Sequence, residues 1–515
     1  MKMTLLDSLD HKPKELAFGT SGLRGLVADM TDLECYINTR GFVEFLLGSK
    51  NIKSGTSFGL AGDLRDSTPR ILQAVACGIL DSGSKINFLG FIPTPAAAYY
   101  CVRRDIPLAM ITGSHIPDDR NGIKFYKKGA EVLKEDEVAI KSAVANVRQQ
   151  IYGQPVDELF NKTGELLKKI ELPPQDKTAA TDYLQRYIPL FGNNSLAGKK
   201  LIVYQHSSLA ADMLVGLMKG FGAEVIPVDR SEKFIPIDTE NITPQNQAYF
   251  KSLAAKFPDN FAIISTDGDG DRPFVIDQRG IFHRGDILGA ITAEYLKAQV
   301  AVLPISASDA VDTYLSSLGI KIVHTKIGSP YVIAAMTEAA QNGADPVVGW
   351  EVNGGLMTGS DIKIGNEMLL ALPTRDAFLP IFCALIAATQ KGCKISELFA
   401  GLPQRFTQAG LLDNFPSGTS QAILVKYAQD SEANHQELEK FFKSEDGFGK
   451  VTGINSLDGI RITFTSGDIA HVRPSGNAPQ LRIYSVSDSQ KRADEIVGLA
   501  LAEPNGILRK IASSA

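Results

Sequence analysis

Three carboxylates stand at alternating positions in Asp267-Gly268-Asp269-Gly270-Asp271, with Arg272 directly after them. Glycine lets such a loop fold tightly. Carboxylates held about 5 Å apart repel by about 3 kcal/mol per pair at an effective dielectric near 20, so a divalent cation is the natural way to hold them together. An oxygen-only donor set suits Mg²⁺, Mn²⁺ or Ca²⁺ rather than zinc. The EF-hand register does not fit: with Asp267 in the first position, Arg272 falls where the loop glycine belongs and Gln278 where the bidentate glutamate belongs. A metal beside an arginine makes a phosphate clamp.

Four other segments carry polar groups on glycine-containing loops. Thr112-Gly113-Ser114-His115-Ile116-Pro117 is followed by Asn121-Gly122 and Lys124, which puts a hydroxyl, an imidazole and an ammonium close together in the chain. Taken alone, Ser114 reads more readily as a cap or turn residue than as a nucleophile, and His115 as a hydrogen-bonding residue rather than a base; the company of Asn121 and Lys124 is what points to chemistry. No GxSxG elbow surrounds it and spacing assigns no triad partner, which disfavours acyl transfer. Glu351-Val352-Asn353-Gly354-Gly355 pairs a carboxylate with an amide, groups suited to vicinal sugar hydroxyls. Arg473-Pro474-Ser475-Gly476-Asn477 offers a guanidinium, a hydroxyl, an amide and backbone N–H groups, all donors for a dianionic phosphate. Phe18 to Gly25 holds Arg24 among three glycines and does not meet the P-loop pattern.

These loops need elements to position them, and the elements repeat. Ser57 to Ala61 reads as a strand, Pro69 to Asp81 as a helix and Lys85 to Gly90 as a strand, with Ile71, Leu72, Val75, Ala76, Ile79 and Leu80 on one helix face. The same order returns at Lys200 to Tyr204, Ala210 to Lys219 and Ala223 to Val228, and again at Val302 to Ile305, Asp309 to Leu318 and Ile320 to Thr325. Each set leads to an apolar strand, Leu108 to Thr112, Phe261 to Ser265 or Pro346 to Trp350, that ends in one of the polar loops. Gly459 to Phe464, Ile469 to Arg473 and Leu481 to Ser487 read as strands and Ser489 to Leu501 as a helix. The charged stretch Asp430 to Lys450 reads as a solvated helix with its connection. The expected fold class is α/β: three related mixed α/β domains over 1–165, 166–285 and 286–400, then a smaller α+β domain over 401–515. Three loops of different chemistry at equivalent places suit an enzyme better than a scaffold.

Composition narrows the class of ligand. The 515 residues are 44% hydrophobic and 22% charged, ordinary for a globular protein, so disordered, collagen-like and coiled-coil classes drop out. The net charge of -5 and the lack of a basic tract argue against nucleic acid as a partner. An anionic ligand must then be met by a few placed cations, because the global field does not help. No apolar run approaches the ~18 to 20 residues of a membrane span, and Asp7, Asp10, His11 and Pro13 stand where a signal peptide needs an apolar core. A cytoplasmic protein without membrane attachment is expected. The five cysteines are scattered and never spaced CxxC, so buried thiols are expected rather than disulfides or zinc.

Taken together and in order, FGTSGLRG at 18–25, TGSHIP at 112–117 with NGIK at 121–124, DGDGDR at 267–272, the G-x-E-x-N-G-G stretch at 349–355 and RPSGNAP at 473–479 resemble the α-D-phosphohexomutase superfamily. The resemblance covers nearly the whole chain and implies four domains around a central active-site cleft. It implies that Ser114 is the phosphoserine and that Asp267, Asp269 and Asp271 bind Mg²⁺, with a Ser114 phosphate oxygen as a further ligand. Arg24, Lys124 and Arg272 would surround that phosphate, with Lys124 or His115 assisting proton movement. Glu351 and Asn353 would hold sugar hydroxyls, with Lys326 and Gly328 in a further sugar-contact loop. Arg473, Ser475, Gly476 and Asn477 would hold the phosphate that is not reacting.

The activity so implied is interconversion of a hexose 6-phosphate and its 1-phosphate, mannose first and glucose next. It proceeds through a hexose 1,6-bisphosphate that also serves as activator. A phosphoglucosamine mutase, a non-catalytic phosphosugar-binding relative and a metal phosphatase are the alternatives. The implied partner is a small phosphosugar, and the chain would be a monomer or a homodimer. Two departures stand out. Many bacterial members carry GExSGH, where this chain has Asn353 and Gly355, and Asn477-Ala478 replaces a frequent Thr-Glu. Trp350, the only tryptophan, precedes Glu351 and reads as either a pocket wall or core.

Overall fold

A computed structural model of the protein describes residues 3–18, 22–154, 159–240, 242–475 and 479–514. The chain forms two compact units, Met1–Ala301 with Gly328–Phe399, and Val302–Ile327 with Ala400–Ala515. The fold is mixed α/β, as the repeat predicts.

In the first unit, strand Ser57–Gly62 lies parallel between Lys85–Phe91 and Leu108–Ile111. Strand Arg120–Lys127 then runs antiparallel to Leu108–Ile111, followed by Gly22–Leu26 and Ala17–Phe18. A second sheet repeats the order. Lys200–His206 lies parallel between Glu224–Arg230 and Ala262–Thr266, with Pro273–Asp277 antiparallel beside Ala262–Thr266 and Phe282–His283 at the edge. Strand Val347–Trp350 likewise runs antiparallel to Leu356–Thr358. Each chemistry-bearing loop therefore joins a strand to an antiparallel partner. In the first two sheets it leaves the carboxyl end of a parallel strand, the edge at which α/β sheets present ligand sites.

The helices follow their sequence patterns with instructive exceptions. Helix Thr68–Asp81 buries Ile71, Leu72, Val75, Ala76 and Ile79, but Leu80 is exposed. At 100° per residue Leu80 lies about 110° from the centre of that face, beyond the reach of the core. Helices Asp32–Gly48 and Phe378–Gln390 carry no single apolar stripe because neighbours cover them on several sides. Gly41 belongs to that crowding, since a Cβ there would lie 2.5 Å from Val144 of helix Glu137–Gly153.

The second unit has a five-stranded antiparallel sheet in the order Phe406–Leu412, Leu481–Ser487, Ile469–Pro474, Ile460–Phe464 and Val451–Asn455. Helices Gln490–Leu501 and Ile507–Ser514 contribute Ile496, Ala500, Leu508 and Ile511 to its core. The charged stretch forms an α-helix over Glu432–Glu439 and a 3₁₀ turn over Ser444–Asp446. Phe442 and Phe448 are buried and packed edge to face, so this segment is anchored rather than wholly solvated. Strand Val300–Pro304, helix Asp309–Ser317 and strand Lys321–Thr325 appear in the expected order.

Cys35, Cys77, Cys101 and Cys383 are buried free thiols and Cys393 is half-buried. Among the described residues no helix is long and apolar enough to cross a membrane.

Candidate active site

Ser114 sits directly after strand Leu108–Ile111 in a conformation that serine rarely adopts, with φ at +54°. Such a left-handed turn costs about 1 to 3 kcal/mol and persists only where surrounding structure dictates it. Arg65 supplies the constraint. Its guanidinium donates to the carbonyls of Ser114 (2.9 Å), Ile116 (2.6 Å), Pro117 (2.8 Å) and Arg120 (3.0 Å), while Nε donates to Asp63 Oδ2 at 3.2 Å. All five guanidinium donors are thereby used, and the group stacks on Phe234 at 3.8 Å. Asp63 also accepts from Gly113 N at 3.2 Å and from the Thr68 hydroxyl at 2.5 Å, and the Thr112 hydroxyl accepts from Ser114 N at 2.8 Å. The loop Gly62–Ser67 thus clamps the Ser114 turn from behind.

The clamp aims Ser114 at the carboxylates. Ser114 Oγ donates to Asp267 Oδ2 at 2.7 Å, across 153 residues of sequence. Asp267, Asp269 and Asp271 are all buried, and each presents an oxygen within 4.8 Å of the others. Thr94 fixes the loop from a neighbouring helix. Its hydroxyl donates to Asp269 Oδ2 at 2.7 Å and its backbone N–H to the Asp269 carbonyl at 2.8 Å.

Lys124 Nζ lies 2.7 Å from both Asp269 Oδ2 and Asp271 Oδ2. Burial opposes the charge on Lys124, but the two carboxylates outweigh it and raise its pKa. The two carboxylates thereby favour the charged form of Lys124. Burial likewise opposes the charged forms of Asp269 and Asp271. Lys124 holds Asp269 ionised, while Arg375, Lys124 and Arg272 hold Asp271 well below the usual carboxylate range. Asp267 goes the other way, because burial and then its two neighbouring aspartates push its pKa well up.

The oxygens left over bear on whether a cation fits. Asp269 Oδ1 and Asp271 Oδ1 are buried and have no hydrogen-bond partner among the described residues. Buried unpaired carboxylate oxygens are costly. With one oxygen from each of Asp267, Asp269 and Asp271 within 4.8 Å of the others, the three carboxylates form the donor set a hard divalent cation takes.

Arg272 Nε stands 3.9 Å from Asp267 and 3.8 Å from Asp271, and its Nη1 stands 3.7 Å from Glu240. Arg24 lies on strand Gly22–Leu26, where Gly22 pairs opposite Lys124. Its side chain is exposed, and partial desolvation followed by the like charges of Arg272 and Arg375 lowers its pKa. His115 Nδ1 is 3.5 Å from Ser114 Oγ. Burial, then Arg272 and Arg24, bring its pKa down to about 2, so the imidazole is neutral.

Glu351 meets this cluster through Arg375, whose Nη1 donates to Glu351 Oε2 at 2.8 Å while Nη2 lies 3.0 Å from Asp271 Oδ2. Asn353 holds its own loop, accepting from Gly355 N at 3.0 Å and donating to Glu240 at 3.3 Å. Trp350 is core: it is fully buried and donates to the Asp286 carbonyl at 3.1 Å.

The first unit therefore brings together Arg24, Ser114, His115, Lys124, Asp267, Asp269, Asp271, Arg272 and Glu351, with Asn353 on the Glu351 loop. Gly328, in the same unit, has φ at +131° and precedes helix Ser329–Gln341. In the second unit Asp458 joins two other expected segments. It pairs with Arg473 at 3.0 Å and accepts from the backbone of Ile327, next to Lys326, at 2.9 Å. Ser475 N donates to the Gln480 carbonyl at 2.9 Å. Gly476 and Asn477 lie outside the described residues.

Sequence reasoning missed Asp63, Arg65, Thr94 and Arg375. The first two had a signal: charges in a strand-to-helix turn at the carboxyl end of a buried parallel strand. Thr94 and Arg375 are brought in by tertiary packing alone.

Known proteins are similar to this chain over most of its length. Residues 15–151 match the family described as "Phosphoglucomutase/phosphomannomutase, alpha/beta/alpha domain I", and residues 284–406 match its domain III counterpart. A protein called phosphomannomutase from Sinorhizobium fredii is 38% identical over 495 residues, 95% of this chain and 98% of its own. Another of that name from Salmonella muenchen is 38% identical over 487 residues, covering 94% and 95%. The crystal structure of a phosphoglucomutase/phosphomannomutase family protein from Burkholderia thailandensis superposes with a TM-score of 0.69 at 18% identity, covering 95% of this chain and 98% of that one.

Proposed function

Since the chain belongs to the phosphoglucomutase/phosphomannomutase family and is a phosphohexomutase, we propose that it interconverts mannose 6-phosphate and mannose 1-phosphate through phosphorylated Ser114 and a mannose 1,6-bisphosphate. The observation that carries this reading is Ser114 Oγ, held in a left-handed turn 2.7 Å from a buried carboxylate triad. The preference for mannose is supported by the names of the two relatives at 38% identity.

Asp267, Asp269 and Asp271 would hold a Mg²⁺ ion together with a Ser114 phosphate oxygen, and the bound ion would draw charge off the transferring phosphoryl group. Phosphoryl transfer asks the protein mainly for positioning and charge stabilisation. Arg65 holds the Ser114 backbone and so the direction of Oγ. Arg24, Lys124 and Arg272 place positive charge around that oxygen, with Lys124 held 2.7 Å from Asp269 and Asp271. His115, whose Nδ1 lies 3.5 Å from Oγ, and Lys124 are the groups placed to assist proton movement during transfer. Glu351 and Asn353 orient the sugar by its hydroxyls. Arg473, Ser475, Gly476 and Asn477 would bind the phosphate that is not reacting, and Lys326 and Gly328 would belong to a further sugar-contact loop. A single serine serves both ends of the sugar if the bisphosphate turns over between the two transfers.

Glu351 and Asn353 can act only if their loop stays in place, and Gly285 sets that place. A Cβ on Gly285 would lie 2.3 Å from Gly354 N and 2.4 Å from the Asn353 carbonyl carbon, backbone atoms that cannot swing aside. Gly285→Ala should lower kcat/KM by about 10- to 100-fold through displacement of that loop, while Ser114 still takes up phosphate. Steady-state kinetics and a phosphate count on the same preparation check both halves.

The experiment that tests the function is a coupled assay over mannose, glucose and glucosamine 1-phosphates, each with Mg²⁺ and the matching bisphosphate. The mannose substrate should have the highest kcat/KM, by about 10-fold or more over glucosamine. A higher value with glucosamine would overturn the assignment of mannose. Net release of inorganic phosphate without isomer formation would overturn the mutase.

A further inference from the structure

The geometry points to Arg375 as the positioning residue that couples the sugar-binding loop to the carboxylate loop, and to Gly355 as the residue that admits it; this rests on the mutase reading above. Arg375 ends the run Thr374-Arg375 in strand Leu372–Asp376, and its side chain is only 7% exposed. One edge of the guanidinium grips Asp271 Oδ2, with Nε at 3.1 Å and Nη2 at 3.0 Å. Nη1 donates to Glu351 Oε2 at 2.8 Å and to Ser329 Oγ at 3.2 Å. A single buried cation therefore ties two carboxylates from loops 80 residues apart, and only the planar fork of arginine can span both.

The surroundings are built for this span. Glu131 accepts from Thr374 Oγ1 at 2.5 Å and from Ser329 Oγ at 3.2 Å, bracing both the strand that carries Arg375 and a group that accepts from it. A Cβ on Gly355 would stand 2.7 Å from Cδ, 2.8 Å from Cγ and 2.9 Å from Cβ of Arg375. Any side chain at residue 355 would occupy the path of the arginine stem. The absence of a side chain at Gly355 and the reach of Arg375 to Glu351 are two sides of one arrangement.

Arg375 acts through its partners. It fixes the carboxylate of Glu351 that is to receive sugar hydroxyls, and it places a positive charge beside Asp271, whose Oδ1 has no hydrogen-bond partner among the described residues. These two effects separate by substitution. Methionine removes charge and fork together, whereas lysine keeps a point charge without the fork.

The test uses the full-length protein and two measurements: Mn²⁺ affinity without substrate, by titration calorimetry, and steady-state kinetics with hexose 1-phosphate. Arg375→Met should tighten Mn²⁺ binding by about 10-fold, because a cation beside a ligand carboxylate has been removed, and should raise KM by about 10- to 100-fold. Arg375→Lys should keep Mn²⁺ affinity within about threefold of wild type while KM stays raised, a split that loss of structure alone would not produce. Gly355→Ala should raise KM on its own and add little to Arg375→Met.

Wild-type KM in Arg375→Lys, or unchanged Mn²⁺ affinity in Arg375→Met, overturns the inference. If Arg375→Met does not fold, Arg375→Lys and Gly355→Ala decide, and wild-type KM in either overturns it. If the unmodified protein isomerises no hexose phosphate, the mutase reading fails, and the Mn²⁺ comparison still decides the placement of Arg375 beside a cation site.

Discussion

Replacing Ser114 by alanine should abolish isomerisation, lowering kcat by a factor on the order of 10⁴ or more, since removing a nucleophile that carries a covalent intermediate costs at least that much. The size of the effect follows from the placement of the serine. Five guanidinium donors of Arg65 and two acceptors, Asp63 and Thr112, hold one turn so that Oγ meets Asp267. No other hydroxyl among the described residues is shown donating to a side-chain carboxylate of this triad except that of Thr94, whose oxygen is already committed to Asp269. The Ser114→Ala protein should still fold, with a thermal midpoint lowered by a few degrees at most, because Asp267 Oδ2 loses one buried donor. Measuring kcat alongside Tm separates the two readouts. Activity within tenfold of wild type would show that another group carries the phosphoryl.

The second large effect is expected at Lys124. Among the described residues its ammonium is the only lysine nitrogen shown against the triad, and it meets Asp269 and Asp271 at 2.7 Å each. Lys124→Met leaves two buried carboxylates without their shared cation, and breaking a buried pair in this way costs about 3 to 5 kcal/mol. Thr94 still donates to Asp269 and Arg375 to Asp271, so some compensation remains. In EDTA the variant should lose several degrees of Tm. Added Mg²⁺ should recover more stability in Lys124→Met than in wild type, because the ion then supplies the missing positive charge. Turnover should fall by about 10²- to 10³-fold even at saturating Mg²⁺, reflecting loss of a fixed charge beside the transferring group. Equal Tm values for the two proteins in EDTA would contradict this account of the cluster.

How much of this was readable in the residues alone depends on whether function or packing placed them. The alternation of Asp267, Asp269 and Asp271 announces a cation site because like charges so spaced need an explanation. The βαβ repeat is readable because glycine-terminated amphipathic helices alternate with β-branched runs. Arg375 is not readable in that way. It stands in Thr374-Arg375-Asp376 at the end of an ordinary strand, and only the fold shows that its stem passes Gly355 on the way to Glu351.

Gly355 itself is conspicuous in the sequence as the place where a histidine is frequent in the resembling family, but its meaning depends on a residue 20 positions later. Arg65 lies between the two cases, a charge in a turn whose five partners are backbone carbonyls and one carboxylate invisible to pattern reading. Helices Asp32–Gly48 and Phe378–Gln390 escaped because burial on several sides erases the periodicity that identifies a helix.

The central claim is that Ser114 carries the phosphoryl group between the two ends of the sugar. The most direct measurement is incubation of the Mg²⁺-loaded enzyme with hexose 1,6-bisphosphate labelled in its phosphates, followed by peptide mass spectrometry and a chase with unlabelled hexose monophosphate. The account predicts one labelled phosphate per chain, on the peptide at Ser114, that moves onto the monophosphate during the chase. Label on a different residue, or label on Ser114 that leaves only as inorganic phosphate, would contradict it.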